Sequence, residues 1–165
     1  MILVTIGTSL PFDRLLSALD GLAEKERVVV QAGASSLRPA GAEVVDFLPF
    51  DELVELIESA RVVVTHAGAG SVLLSLRIGR RPVVVPRLHR CGEAVDDHQL
   101  EFGRRMASLG LVTLVEDPAD LDAALAGDEG AAAPAVTAID LSGELRRYLL
   151  ERVSAGRSLP RGSAV

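Results

Sequence analysis

Short runs of β-branched residues alternate with amphipathic stretches along most of this chain. The runs predict strands at residues 2–6, 27–31, 43–47, 61–65, 82–85 and 111–115. The stretches between them space apolar residues three, four and seven positions apart, which indicates helices. These helices are predicted at residues 12–24, 50–59, 69–78 and 97–109, with a short one from Asp117-Pro118. Because strands and helices alternate, the sequence predicts an α/β fold with a doubly wound parallel sheet.

The composition changes near Ala126, which indicates where the folded domain ends. We expect residues 1–126 to form the α/β domain. Residues 127–137 are rich in Ala, Gly and Pro and are predicted to be a flexible connector. An apolar stripe at residues 138–153 predicts a C-terminal helix, which docks either on its own sheet or on a partner. Residues 154–165 are rich in Gly, Ser, Pro and Arg and are expected to be disordered.

Charge and residue usage exclude several classes of function. The 165 residues carry 17 Lys+Arg and 23 Asp+Glu, a formal net charge of −6, so non-specific nucleic-acid binding is not expected. Cys91 is the only cysteine, which excludes a disulfide framework. Lys25 is the only lysine and follows Glu24, so no GxxxxGK[ST] phosphate loop is present. No apolar run approaches the roughly 18 residues of a membrane span and no signal-peptide pattern occurs, so a cytoplasmic location is expected.

The segment after the fourth predicted strand, Thr65-His-Ala-Gly-Ala-Gly-Ser71, is the first candidate site. Gly68 and Gly70 lie between a buried strand and a helix start, where backbone amides can point at an anion, and Ser71 adds a hydroxyl donor. A tight turn that needs glycine for packing explains the pattern equally well. It is not the dinucleotide fingerprint, since Leu73 stands where a third small residue is expected.

The loop after the fifth predicted strand, residues 86–99, gathers cations, carboxylates and an amide. Arg87 and Arg90 are suited to offset phosphate charge, and Glu93 and Gln99 to bind sugar hydroxyls. Ligands of open parallel sheets bind at the carboxyl ends of the strands, so this loop is a second candidate site.

Two other features have simpler interpretations. Asp96 is predicted to cap the following helix. The histidines, His66, His89 and His98, fall on two separate loops without the i, i+4 spacing of a helical metal site, so no metal is predicted. After the first strand, Gly7-Thr8 can present donors into the same crevice.

These motifs follow the order and spacing of a known family. Gly7-Thr8 with residues 11–15, His66 to Ser71, and residues 86–99 together resemble the family 28 glycosyltransferase C-terminal domain, over residues 1–115. More narrowly, they resemble the soluble subunit of two-part glycosyltransferases. These include bacterial exopolysaccharide enzymes and the enzyme that adds the second GlcNAc to a dolichol-linked sugar.

The resemblance implies a Rossmann-like lobe equivalent to the C-terminal donor lobe of a GT-B glycosyltransferase, which binds a UDP-sugar without a metal or other cofactor. It implies that Leu48 contacts uracil through its backbone. It also implies that Glu93 and Gln99 are catalytic residues that position the transferred sugar. The substrate-binding residues that it implies are Gly7, Thr8, Leu48, His66, Gly68, Ala69, Gly70, Ser71, Arg87 and Asp97.

The chain departs from the family pattern at two positions. Leu74 stands where related lobes often carry an acidic residue that binds ribose, and Ala94 stands where many relatives have histidine. The resemblance also implies a membrane-bound partner subunit that supplies the acceptor lobe, the lipid-linked acceptor and the general base. The predicted function is therefore the donor-binding subunit of an inverting glycosyltransferase in polysaccharide or glycolipid synthesis. The alternatives are a non-catalytic sugar-nucleotide-binding module and a nucleotide-sugar epimerase.

Overall fold

The structure is a computed structural model that describes residues 1–127 and Gly143. The chain divides into two units, Met1–Pro134 and Ala135–Val165. The first unit contains the predicted α/β domain. Apart from Gly127 and Gly143, the predicted connector, C-terminal helix and tail lie outside the described residues.

Six parallel strands form one sheet in the first unit. The strands are β1 Ile2–Thr5, β2 Val28–Gln31, β3 Glu43–Val45, β4 Val62–His66, β5 Val83–Val85 and β6 Thr113–Leu114. Their order in the sheet is β3-β2-β1-β4-β5-β6, so the chain runs outward from β1 in one direction and then, from β4, in the other. This order confirms the predicted doubly wound α/β fold.

Helices connect the strands, except between β2 and β3. They are α1 Asp13–Ser17, α2 Phe50–Ser59, α3 Ala69–Arg77, α4 His98–Ser108 and α5 Leu121–Gly127, with single 3₁₀ turns at His89–Cys91 and Pro118–Asp120. The second of these turns begins as predicted, because the Asp117 side chain accepts a hydrogen bond from the backbone N–H of Ala119.

The first helix is much shorter than the predicted residues 12–24. It ends at Ser17, and the chain continues to Lys25 as turns closed by bonds such as Leu22 N–H to the Leu19 carbonyl, 3.0 Å. Gly21 has φ +82°, a left-handed conformation that an α-helix does not contain. The predicted apolar stripe is nevertheless buried throughout, so its spacing predicted the buried face correctly and the helical geometry wrongly.

The sheet is covered on both faces, as the continuous valine runs predict. On one face, Ile2 and Val4 pack with the segment that follows β1 and with α5. On the other face, Leu3 and Val63 pack with α2, which contributes Ile57. Strands β3 and β6 at the two edges are shorter than predicted, at three and two residues.

The loops that carry most of the predicted site residues follow β1, β4 and β5, which are neighbours at the centre of the sheet, whereas Leu48 follows the edge strand β3. The change of direction between β1 and β4 is the topological switch point, where open α/β sheets bind their ligands. Within the described part of the chain, no helix combines the length and the apolar character needed to span a membrane.

Candidate functional site

A cavity of about 400 Å³ opens at the carboxyl ends of β1, β4 and β5. It is lined by Ile6, Gly7, Thr8, Ser9, Leu10, His66, Gly68, Gly70, Ser71, Arg87, Ala94, Val95, His98 and Gln99. The structure therefore brings together most of the predicted site residues, from three loops that are far apart in the sequence. Leu48, Ala69, Glu93 and Asp97 are the predicted residues that do not line this cavity.

The N-terminus of α3 lies at one wall of the cavity. Gly68 is its N-cap residue, no side chain caps it, and its first turn contains no acidic residue. Gly70 and Ser71 in that turn line the cavity. An anion at such a helix end is stabilised by about 0.3–1 kcal/mol, and by up to about 2 kcal/mol when partly buried. This wall therefore favours a negatively charged ligand.

Arg87 provides a buried positive charge at the same cavity. Its side chain is 3% exposed, and its guanidinium donates hydrogen bonds to the backbone carbonyls of Ile6 (2.7 Å), Leu10 (2.7 Å) and Pro11. It also lies over the ring of Phe12, 4.7 Å from the centroid. These acceptors are neutral, so the guanidinium holds the loop after β1 in place without losing its charge. Burial lowers the pKa of Arg87 from its usual value.

His66, the last residue of β4, fits between two glycines. A Cβ on Gly7 would lie 3.0 Å from His66 Cε1, and a Cβ on Gly68 would lie 2.2 Å from His66 Nε2. Burial and the nearby charge of Arg87 lower the pKa of His66 to about 4, so the imidazole is neutral at pH 7. At Gly68, the need for glycine therefore comes from packing against the imidazole.

Gly70 differs from Gly68. No atom of the described residues lies within 4 Å of a Cβ built on Gly70, so a side chain there would occupy open space at the cavity wall. The two interpretations of the glycine pattern thus apply to different residues. Packing explains Gly68, and Gly70 leaves room for a ligand.

Gln99 lies on the opposite wall, in the first turn of α4. It is buried, and its Oε1 accepts a hydrogen bond from the backbone N–H of Arg87, 3.1 Å. This bond links the start of α4 to the end of β5. The amide of Gln99 thereby has a fixed position at the cavity.

Glu93 uses its carboxylate within the protein. Oε1 accepts from Arg14 Nε (2.8 Å), and Oε2 accepts from Arg14 Nη2 (2.9 Å) and from the Leu88 N–H (3.0 Å). Glu93 lines a separate cavity of about 390 Å³, with Asp13, Arg14 and Cys91 among its neighbours. Its predicted contact with the transferred sugar remains a prediction.

Of the other predicted residues outside the cavity, Ala69 is the exposed first residue of α3, and Asp97 and Leu48 have structural partners. Asp97 Oδ1 accepts from the His89 N–H at 3.0 Å. Leu48 is 7% exposed and belongs to the apolar cluster around Leu3 and Ile57. The predicted contact of Leu48 with uracil is through the backbone, so this burial leaves it open.

His98 lines the cavity, although the sequence pattern singled out only its neighbour Gln99 there. Its backbone N–H donates to Asp96 Oδ1 at 3.0 Å, and its Nδ1 is also bonded to that oxygen. The N-cap residue of α4 is Asp97, one position later than predicted, and its side chain makes no capping bond. The signal in the sequence was the position of His98 directly before Gln99. Within residues 1–127, no group of three or more His, Cys, Asp or Glu side chains is arranged to hold a metal ion.

The fold and the position of the cavity define a Rossmann-like lobe of the GT-B glycosyltransferase type. The solved structure of the glycotransferase of kitacinnamycin matches with a TM-score of 0.58 and 24% identity, over 90% of this chain and 39% of that one. The calicheamicin glycosyltransferase CalG4 matches with a TM-score of 0.57 and 21% identity, over 96% and 43%. At these identities the matches show the fold alone.

The chain belongs to the glycosyltransferase family 28 C-terminal domain family, whose model matches residues 1–130. It is similar to the UDP-N-acetylglucosamine transferase subunit ALG13 of Yarrowia lipolytica, with 30% identity over 122 residues, 64% of this chain and 60% of that protein. The human protein of the same name is 33% identical over 122 residues, 66% of this chain and 10% of that protein. The chain thus spans only part of the length of either relative.

Proposed function

We propose that this chain is the donor-binding subunit of an inverting glycosyltransferase that transfers a sugar from a UDP-sugar to a lipid-linked acceptor. One observation carries the proposal: the N-terminus of α3, which no side chain caps, and the buried Arg87, whose guanidinium bonds to backbone carbonyls, meet at one cavity. This arrangement suits a ligand with concentrated negative charge, such as a diphosphate. The names of the two relatives, each a UDP-N-acetylglucosamine transferase subunit, support the choice of a UDP-sugar.

The proposed diphosphate site consists of the first turn of α3 and the loop after β1. Backbone amides of Gly70 and Ser71, with the hydroxyls of Ser71 and Thr8, donate to phosphate oxygens, and Arg87 supplies positive charge. These groups stabilise the charge that develops on UDP as it leaves, and they need no reorganisation because the fold holds them in place. In this proposal the protein's own donors replace a metal ion.

The transferred sugar is proposed to lie against the cavity wall formed by the loop between β5 and α4 and by the first turn of α4. Gln99 faces the cavity there and orients the anomeric carbon, which contributes to rate by positioning. The acceptor oxygen bonds to that carbon from the face opposite the diphosphate. The bond between the carbon and the UDP oxygen breaks, its electron pair leaves with UDP, and the acceptor proton passes to a general base.

A GT-B enzyme needs a second lobe to bind the acceptor. We propose that a membrane-bound partner subunit supplies this lobe and the general base, so that the complex works at the cytoplasmic face of a membrane. The word "subunit" in the relatives' names supports a multi-chain enzyme. Polysaccharide or glycolipid synthesis is the proposed setting.

Calorimetric titration tests the donor site directly. Wild-type protein should bind UDP and not ADP, GDP or NAD. Gly70→Val places a side chain at the cavity wall and should abolish UDP binding. Ser59→Val is the matched control, since it also places a valine on an exposed helix position but lies on α2, away from the cavity. Equal UDP binding by the Gly70→Val variant and wild type would contradict the proposed site.

Transfer requires the partner. Candidate partner subunits, co-expressed with this chain in membranes, should convert a UDP-sugar and a lipid-linked acceptor to product, and the Gly70→Val, Ser71→Ala double variant should not. UDP binding without turnover in any such pair would instead indicate a non-catalytic sugar-nucleotide-binding module. Product formed from a UDP-sugar without acceptor or partner would indicate an epimerase.

A further inference from the structure

Two arginines connect the segment after β1 with the loop after β5, one from each segment. Arg14 of α1 reaches the loop after β5, where it bonds to Glu93 and to the Pro86 carbonyl (2.9 Å). Arg87, at the end of β5, reaches back to the loop after β1, where it bonds to backbone carbonyls that include that of Leu10. Each loop is therefore held by a cation that the other segment supplies.

The Arg14–Glu93 pair has the geometry of a rigid contact. Two parallel hydrogen bonds of 2.8 and 2.9 Å join the guanidinium to the carboxylate, which is the fork geometry of the strongest ion pairs. The Glu93 side chain is only 10% exposed, and the Leu88 N–H adds a third bond. Glu93 thus links Arg14 directly to the backbone of the loop.

Both guanidiniums also lie over one ring. Phe12 is fully buried, and its centroid is 5.4 Å from Arg14 Cζ and 4.7 Å from Arg87 Cζ. Cations over an aromatic face are attracted to it, so the ring fixes the two arginines relative to each other.

We propose that Arg14 and Glu93 form a positioning pair that holds the loop after β5 in the geometry required by the donor sugar, and that Glu93 acts through Arg14 without touching the sugar. This inference rests on the proposed function. The loop carries Ala94, Val95 and His98, which line the cavity beyond the α3 wall assigned to the diphosphate. Loosening the Arg14–Glu93 pair should therefore weaken binding of the sugar and leave binding of the diphosphate nearly intact.

A direct role of Glu93 makes a different prediction. If the carboxylate itself contacted the sugar, removing Glu93 would weaken sugar binding and removing Arg14 would matter little. If the two residues act as one unit, each single substitution causes the same loss of sugar affinity, and the double substitution causes no greater loss. The effects of substituting two residues that act through one contact are not additive.

The experiment measures the affinities of UDP, UDP-N-acetylglucosamine, UDP-glucose, UDP-galactose and UDP-glucuronic acid by calorimetry. Wild type should bind one of these UDP-sugars more tightly than UDP. Arg14→Gln, Glu93→Gln and the double variant should each lower that affinity about tenfold and change UDP affinity less than about twofold. A melting curve for each variant establishes that it is folded; if a single variant is not, Arg14→Lys or Glu93→Asp replaces it, because each keeps the charge and breaks the fork of two bonds.

The matched control is a second bidentate pair, Arg27 with Glu43, whose bonds are both 2.8 Å and which joins the residue before β2 to the first residue of β3, away from the cavity. Glu43→Gln should change neither affinity. The inference would be overturned if Arg14→Gln kept wild-type affinity for the UDP-sugar while Glu93→Gln lost it, or if the losses of the two single variants were additive in the double variant. It would also be overturned if the variants lost affinity for UDP and the UDP-sugar equally, or if wild type bound no UDP-sugar more tightly than UDP. Failure of wild type to bind UDP at all would instead overturn the proposed function.

Discussion

The imidazole of His66 occupies the space that a side chain at Gly68 would need: a Cβ on Gly68 would lie 2.2 Å from His66 Nε2. The same ring lies 3.0 Å from the Cβ position of Gly7, so one neutral histidine fills the space between the loops after β1 and β4. The side-chain-free backbone at these two glycines is thus part of the protein's own packing. The open wall of the cavity begins beyond them, at Gly70.

Substitution of the two α3 glycines should separate packing from ligand binding. Gly68→Ala should lower the free energy of unfolding by about 1–3 kcal/mol, because His66 must move. Gly70→Ala should raise it by about 0.5–1 kcal/mol, because alanine favours a helix and no atom lies within 4 Å. Urea unfolding measures both. The assignment of packing to Gly68 would be wrong if the two variants were equally stable.

His66 should make the protein lose stability in mild acid. Its pKa is about 4 in the folded protein and 6.5 is the ordinary value, so below pH 6.5 the unfolded chain takes up a proton that the folded protein does not. Between pH 7.5 and 5, this should remove about 1–2 kcal/mol from the free energy of unfolding. His66→Gln should lack that part of the pH dependence, as urea unfolding at the two pH values would show. Parallel pH profiles of wild type and variant would contradict the low pKa.

Arg87 should be needed both for stability and for ligand binding. Arg87→Met leaves the carbonyls of Ile6, Leu10 and Pro11 without their charged donor and should lower the free energy of unfolding by about 3 kcal/mol. UDP affinity should fall at least about tenfold, because the positive charge at the cavity is lost. Arg87→Lys keeps the charge but not the fork of donors, so its UDP affinity should be intermediate. A Met variant that binds UDP like wild type would exclude a role for the charge.

Leu48 should affect stability and not nucleotide selectivity. Its side chain is 7% exposed in the cluster with Leu3 and Ile57, so Leu48→Ala should lower the free energy of unfolding by about 2–4 kcal/mol. The proposed contact with uracil is made by the backbone, and the preference for UDP over ADP and GDP should therefore persist. Urea unfolding and calorimetry test the two parts separately. Lost selectivity in a variant of unchanged stability would place the side chain at the base.

Local sequence patterns were sufficient for the elements and the fold class. Helix α2 matches the predicted residues 50–59, and the valine runs lie in the predicted strands. Both signals are local, because a helical spacing of 3.6 residues and a run of β-branched residues each involve only residues that are close in the sequence. The same patterns failed after Ser17, where the apolar spacing fits a series of tight turns as well as a helix. Spacing determines which side chains are buried, and the backbone hydrogen bonds then depend on residues such as Gly21.

The loops around the cavity were also predictable, since all follow strands of a parallel sheet and such strands end at the same edge. Which side chains face the cavity was not. Glu93 and Gln99 come from the same polar loop, yet Gln99 lines the cavity and Glu93 pairs with Arg14, 79 positions away. Arg87 bonds to carbonyls 76 to 81 positions away.

The sequence by itself therefore determined the strands, most of the helices, the buried faces and the edge of the sheet at which the cavity opens. Only the tertiary structure decided that Arg14 and Arg87 connect the loops after β1 and β5 and pack on Phe12. It also decided that Gly68 packs against the imidazole of His66, whereas Gly70 faces open space. The physical reason is that these contacts depend on strand order, which brings β1, β4 and β5 side by side. No local periodicity encodes that order, because it arises when the whole sheet is packed.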